Sequence, residues 1–222
     1  MRLVSVLGDS ISTFEGYNPE DYAVYYDKYM QDWNGLRNVE DTWWARVIRS
    51  LHARLCVNNS YSGSRVTGET FPAGASEERL RNLGTEENAP DIILIYMGLN
   101  DFAGGIDLVS SLDSFGFEDS YDIMLKTIKR NYPSAKIVCG TLMPAVVKDR
   151  SDLELSENAA GIGLEEYNET IGLMAQENDC YLADLARGTE KCETLDGFHP
   201  TARGHETIAG KWISCLNNLE LF

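Results

Sequence analysis

The chain has 222 residues, 43% of them hydrophobic, and sets 19 Lys and Arg against 35 Asp and Glu, a formal net charge of −16 at pH 7. That length suits one sizeable core and is short for two, so a single domain over residues 1–222 is expected. The charge repels phosphate backbones and anionic lipid headgroups, and no local basic cluster offsets it, so neither nucleic acid nor a membrane surface is an expected partner.

Strand-like runs fall at residues 2–7, 54–58, 91–97, 136–142 and 180–185, and helical stretches alternate with them at 42–52, 76–83, 120–131, 164–178 and 201–217. Ile92, Ile93, Leu94 and Ile95 form an uninterrupted apolar run, as a strand covered on both faces requires. Strand alternating with helix predicts an α/β fold, a three-layer α/β/α sandwich around a five-stranded parallel sheet. Ligands of such sheets bind beyond the carboxyl ends of the strands. Residues 144–163, with Lys148, Asp149, Arg150 and a run of acids, are expected to be irregular and to overlie that edge. No run approaches the roughly 20 apolar residues of a spanning helix. A strand-like run follows Met1 directly, without the pattern of a secretory leader, so a cytoplasmic location is expected.

The five cysteines are scattered without close pairs, which predicts neither a disulfide framework nor a zinc cluster. Cys56, Cys139 and Cys180 lie in or beside strand-like runs and are expected in the core. Many acids are present, but neither an HExxH nor an EF-hand spacing occurs, and no glycine loop precedes a Lys-Ser/Thr pair. No metal, nucleotide or other cofactor is expected.

Two short motifs carry the chemistry. Gly8-Asp9-Ser10 follows the first strand-like run, and Asp196-Gly197-Phe198-His199-Pro200 lies near the C-terminus. Together they supply a hydroxyl, an imidazole and a carboxylate, the minimum for a serine nucleophile, its base and the group that orients the base. Ser10 follows the first run, Gly63 the second, Asn100 the third and His199 the last, so all four are expected at one sheet edge.

In these stretches the sequence resembles the SGNH hydrolases, the GDSL esterases and lipases. Gly8-Asp9-Ser10-Ile11 resembles their first block, residues 58–63 the second, Gly98-Leu99-Asn100-Asp101 the third and residues 196–199 the fifth, in family order. Ile11 replaces the Leu of the family name, and Ser60 stands where a Gly is usual; neither removes a reacting atom. The resemblance implies a flavodoxin-like SGNH hydrolase fold and an esterase that works through an acyl-enzyme without a cofactor. It also implies Ser10 as nucleophile, His199 as base and Asp196 as orienter. The oxyanion hole would be formed by the backbone N–H groups of Ser10 and Gly63 and the side-chain amide of Asn100. Glycine at 63 suits a main chain that approaches substrate closely.

Each assignment has a plainer alternative. Ser10 could cap a helix. His52 ends a predicted helix at the wrong edge of the sheet, and His205 lies inside the last helix as a surface or packing residue. Asp9 and Asp101 are expected to brace their loops through backbone N–H groups. An aromatic-rich insertion at about 14–41 contains Tyr17, Tyr22, Tyr25, Tyr26, Tyr29 and Trp33. It would wall the pocket and recognise a carbohydrate ester, with Tyr17 and Trp33 as candidate contacts, or merely anchor a long loop or an oligomer contact. Arg65 is a candidate for holding a substrate oxygen or for pairing with a local acid. The expected substrate is a small-acyl or carbohydrate ester. The competing readings are a lipid or thioester acyl hydrolase and a carbohydrate-binding protein on a disused hydrolase fold.

Overall fold

The computed structural model describes residues 1–154 and 156–219. In chain order the elements are β1 (Leu3–Gly8), α1 (Gln31–Asn34), α2 (Trp43–Ser50), β2 (Arg54–Ser60), α3 (Glu77–Leu80), β3 (Ile92–Tyr96), α4 (Leu99–Ala103) and α5 (Phe117–Asn131). They continue with β4 (Lys136–Gly140), β5 (Ala145–Val147), β6 (Arg150–Glu154), α6 (Leu164–Glu177), β7 (Tyr181–Ala183), β8 (Cys192–Thr194) and α7 (Ala202–Asn217).

Five strands form a parallel sheet in the order β2-β1-β3-β4-β7. Every residue of β3 is buried, because a central strand of a doubly covered sheet has no solvent face. Helices α2 and α7 pack together on one side, and α5 packs with α3 and α6 on the other, giving the expected three-layer α/β/α architecture. On α5, Phe117, Tyr121, Met124, Leu125 and Ile128 recur at helical spacing and are all fully buried. Beneath α2 and α7, Trp43 stacks on Trp212 at 5.4 Å with planes 11° apart, and Tyr96 meets Trp43 edge-on at 5.6 Å. All five cysteines are free; Cys139 is buried as expected, whereas Cys56 and Cys180 are half-buried. Among the described residues, no helix is long and apolar enough to cross a membrane.

The structure departs from the sequence expectation in three places. Residues 144–163 are not irregular throughout: β5 and β6 pair antiparallel there, and β5 also pairs in parallel with β8 as a second, three-stranded sheet. These strands are three to five residues long, too short for alternation to register. Second, the helix expected over 76–83 stops at Leu80. The Tyr132 hydroxyl accepts the N–H groups of Leu83 and Gly84, both at 3.0 Å, and so satisfies the backbone there without helix. Third, His199 does not follow the last strand of the main sheet directly but follows β8 of the small one.

Candidate active site

Gly8 ends β1 in tight quarters: a Cβ there would lie 2.5 Å from Ser12 Oγ and 2.8 Å from Ser60 Oγ. The chain then turns into a short 3-10 helix, Ser10–Ser12, capped by Asp9, whose Oδ1 accepts the Ile11 N–H at 3.0 Å. The Thr13 N–H and hydroxyl both donate to the Ser10 carbonyl, fixing the turn that presents Oγ. Asp9 thus braces its loop as its residue type suggests. Burial pushes its carboxyl up to about 6, against the pull of the Ile11 N–H, His199 and Arg79.

Residues 194–200 form a closed loop hung between β8 and α7. The Thr194 hydroxyl accepts the Gly197 N–H at 3.0 Å, the Leu195 N–H donates to the His199 carbonyl at 2.9 Å, and the Tyr26 hydroxyl donates to the Pro200 carbonyl at 2.9 Å. This loop brings His199 Nε2 to 3.1 Å from Ser10 Oγ, across 189 residues of sequence. On the other side of the ring, Nδ1 lies 2.7 Å from Asp196 Oδ2. The remaining oxygen of Asp196 accepts the N–H groups of Phe198 at 3.0 Å and His199 at 2.8 Å. Burial alone would raise the Asp196 carboxyl, but bonds from the His199 ring and these two N–H groups outweigh it and bring it down to about 2. A fixed carboxylate on Nδ1 leaves Nε2 to exchange a proton with the serine.

Gly63 sits in the turn after β2 with φ +79°, where only glycine is unstrained, and a Cβ there would meet no protein atom within 4 Å. The need for glycine is therefore set by backbone conformation, facing open space rather than crowded protein. Among the described residues its N–H donates to no protein acceptor. Asn100 is the second residue of α4, and one hydrogen of its amide goes to the Ser64 carbonyl at 2.9 Å, leaving the other N–H for a ligand. Asp101 ties the same two segments together, accepting the N–H groups of Val66 at 2.8 Å and Thr67 at 2.9 Å. Burial raises its carboxyl, opposed by those bonds.

The other histidines lie away from this constellation. His52 occupies a left-handed turn before β2, at the opposite end of the sheet from Ser10. His205 is fully buried in α7, its Nδ1 accepting the Trp43 N–H at 3.1 Å. Within the aromatic-rich segment, Tyr17 packs against Phe14 and Trp44, and Trp33 is exposed on α1. The residue of that segment that reaches the site is Tyr25, stacked on the His199 ring at 3.6 Å with planes 7° apart. Its composition marked the segment but not the position, because a run of alternating aromatics carries no register. Arg65 is exposed, and its guanidinium lies against Gly104 at the end of α4.

Apolar side chains fill the space beside these groups. Ile11, Leu99 and Phe198, the chain neighbours of Ser10, Asn100 and His199, line a void of only about 10 Å³ with Leu142, Met143 and Ile208. A recess of about 720 Å³ lined by Thr141, Asn168, Leu182, Asp184 and Arg187 involves none of Ser10, Gly63, Asn100, Asp196 and His199.

Comparison with known proteins adds an independent line. Residues 2–156 match the family profile described as GDSL-like Lipase/Acylhydrolase. A multidomain esterase of Ruminococcus flavefaciens is 26% identical over 230 residues; the match covers 93% of this chain and 27% of that protein, so the chain spans about a quarter of its relative's length. Among solved structures, a GDSL-like lipase from Bacteroides ovatus superposes with a TM-score of 0.74 at 26% identity, covering 99% of both chains. One from Bacteroides uniformis gives 0.72 at 27% identity, covering 98% of this chain and 96% of the other.

Proposed function

The chain belongs to the GDSL-like lipase/acylhydrolase family and is a hydrolase, and from that premise we propose that it removes a short acyl group from a small-molecule or carbohydrate ester through a Ser10 acyl-enzyme. The observation that carries this reading is the unbroken hydrogen-bonded chain from Ser10 Oγ through the His199 ring to Asp196.

In the proposed reaction His199 Nε2 takes the Ser10 proton as Oγ attacks the ester carbonyl. The resulting oxyanion is held by the Ser10 and Gly63 N–H groups and the Asn100 amide, donors about 3 Å from the developing charge. His199 then returns the proton to the departing alcohol, leaving Ser10 acylated. Water enters, His199 takes its proton, and a second tetrahedral intermediate collapses to the acid and free serine. Asp196 stays ionised throughout and stabilises the imidazolium.

One observation favours the substrate class. Tyr29 and Trp33 present aromatic faces, 74% and 71% exposed, of the kind that stack on sugar rings. A series of p-nitrophenyl esters from acetyl to dodecanoyl, beside acetylated sugars, lysophospholipids and acyl thioesters, tests the proposal with Ser10→Ala as blank. Activity that peaks at acetyl is expected. Activity rising with chain length, or confined to lipids or thioesters, would overturn the substrate assignment, and glycan binding without turnover would overturn the reaction.

A further inference from the structure

Arg79, the third residue of the four-residue helix α3, is fully buried. Its guanidinium uses all five N–H donors. Nε donates to Asn59 Oδ1 at 3.0 Å; Nη1 donates to Ser64 Oγ at 2.8 Å and to the Pro72 carbonyl at 2.7 Å. Nη2 donates to the Asn59 carbonyl at 3.0 Å and to the Gly8 carbonyl. Every acceptor is neutral. Burial pulls the group down to about 10, still well above neutral pH, so it remains a cation, with Asp9 attracting it through space. A buried cation bonded only to neutral groups is costly to keep, and its acceptors are not scattered. Gly8 directly precedes Asp9-Ser10, and Asn59 and Ser64 bracket the turn carrying Gly63. Ser64 also accepts the Asn100 amide through its carbonyl.

We propose that Arg79 is the positioning residue of the oxyanion hole, its planar fork locking the end of β1 before Ser10 to the Gly63 turn and, through Ser64, to Asn100. The three donors belong to three separate segments, and their value depends on being fixed before the charge develops. This guanidinium bonds two of the segments directly and reaches the third through one residue. Lysine, a point charge without the fork, keeps the charge and loses the geometry. The inference rests on the roles proposed above for Ser10, Gly63 and Asn100.

The test is a double-mutant cycle on p-nitrophenyl acetate with Arg79→Lys, Ser64→Ala, Asn100→Ala, both pairs with Asn100→Ala, and Ser10→Ala as control. Arg79→Lys should lower kcat about 10²-fold and Ser64→Ala about tenfold, with KM within about threefold, because the lost stabilisation exists only in the transition state. Combined with Asn100→Ala, each should cost far less than the product of the single losses, since both members of the pair spoil one hole. Fully multiplicative losses, or a rise in KM with kcat retained, would overturn the role. Where Arg79→Lys does not fold by circular dichroism, Ser64→Ala and its pair decide by the same criteria. Activity persisting in Ser10→Ala is a separate result: it rejects the underlying serine mechanism, whatever the cycle shows.

Discussion

The phenol ring of Tyr25 lies flat on the imidazole of His199, centroids 3.6 Å apart and planes 7° apart. The Tyr25 N–H is itself held by the Thr13 hydroxyl at 2.9 Å, and that hydroxyl grips the Ser10 carbonyl, so one threonine links the stacking ring to the turn of the nucleophile. Burial pushes the Tyr25 phenol up to about 12, with Asp196 adding to the shift, so the ring is neutral at working pH. In the proposed mechanism, a neutral aromatic face would lie against the imidazolium that forms on proton transfer, an interaction worth about 1 kcal/mol.

Tyr25→Phe should therefore keep kcat within about twofold of the parent, while Tyr25→Ala should lower it about fivefold, the stack being worth on the order of 1 kcal/mol. Steady-state kinetics on p-nitrophenyl acetate make the comparison. Equal losses in the two variants would assign the effect to the hydroxyl instead of the ring.

Asn100→Ala should cost about 10²–10³ in kcat, the usual toll for one oxyanion donor. The variant also releases the Ser64 carbonyl, so its thermal midpoint should fall slightly while the enzyme stays folded. A loss below tenfold removes the Asn100 amide from the hole.

His205 predicts an acid-sensitive fold. Its ring is fully buried with Nδ1 on the Trp43 N–H and Nε2 without a partner among the described residues, and burial, with Arg46 nearby, pulls it down to about 3. Below pH 6.5 the unfolded chain takes up a proton that the folded chain refuses, so stability falls as pH drops. His205→Asn keeps an acceptor for Trp43 and cannot titrate. Between pH 8 and pH 5 the parent should lose about 2 kcal/mol relative to this variant, at about 1.4 kcal/mol per pH unit below 6.5. Urea unfolding at the two pH values checks it, and parallel stability curves would reject the assignment.

Asp9 predicts the opposite sign. Its folded pKa of about 6 lies above the unfolded 3.8, so its contribution is full below pH 3.8 and is lost as pH rises through 6. Asp9→Asn preserves the acceptor for Ile11 and removes the buried charge. Relative to the parent it should gain about 2 kcal/mol on going from pH 4 to pH 8, again by urea unfolding. A gap that shrinks over that range contradicts the buried-charge account.

The sequence made the main sheet legible because its strands are short apolar runs punctuated by amphipathic helices, and Ile92 to Ile95 could be little else. The placement of Ser10, Gly63 and Asn100 at one sheet edge was legible because each stands just after a strand, while their proposed roles came from the family resemblance. The small sheet was not, since residues 145–147, 150–154 and 192–194 are too short for their period to speak and pair only through tertiary contact. That sheet carries the loop of Asp196 and His199, so the motif could be read while its support could not. Arg79 and Tyr25 were equally silent: an arginine in an acidic helix reads as a solvated charge, and one tyrosine among many reads as packing. Their roles arise from what the fold sets against them.

The most direct test of the central claim is mass spectrometry of the protein after reaction with a fluorophosphonate, in the parent, Ser10→Ala and His199→Ala. One adduct per chain on the peptide bearing Ser10 is expected, absent in Ser10→Ala and greatly slowed in His199→Ala, with thermal midpoints unchanged. An adduct on another residue, or ester hydrolysis that continues in Ser10→Ala, would contradict it.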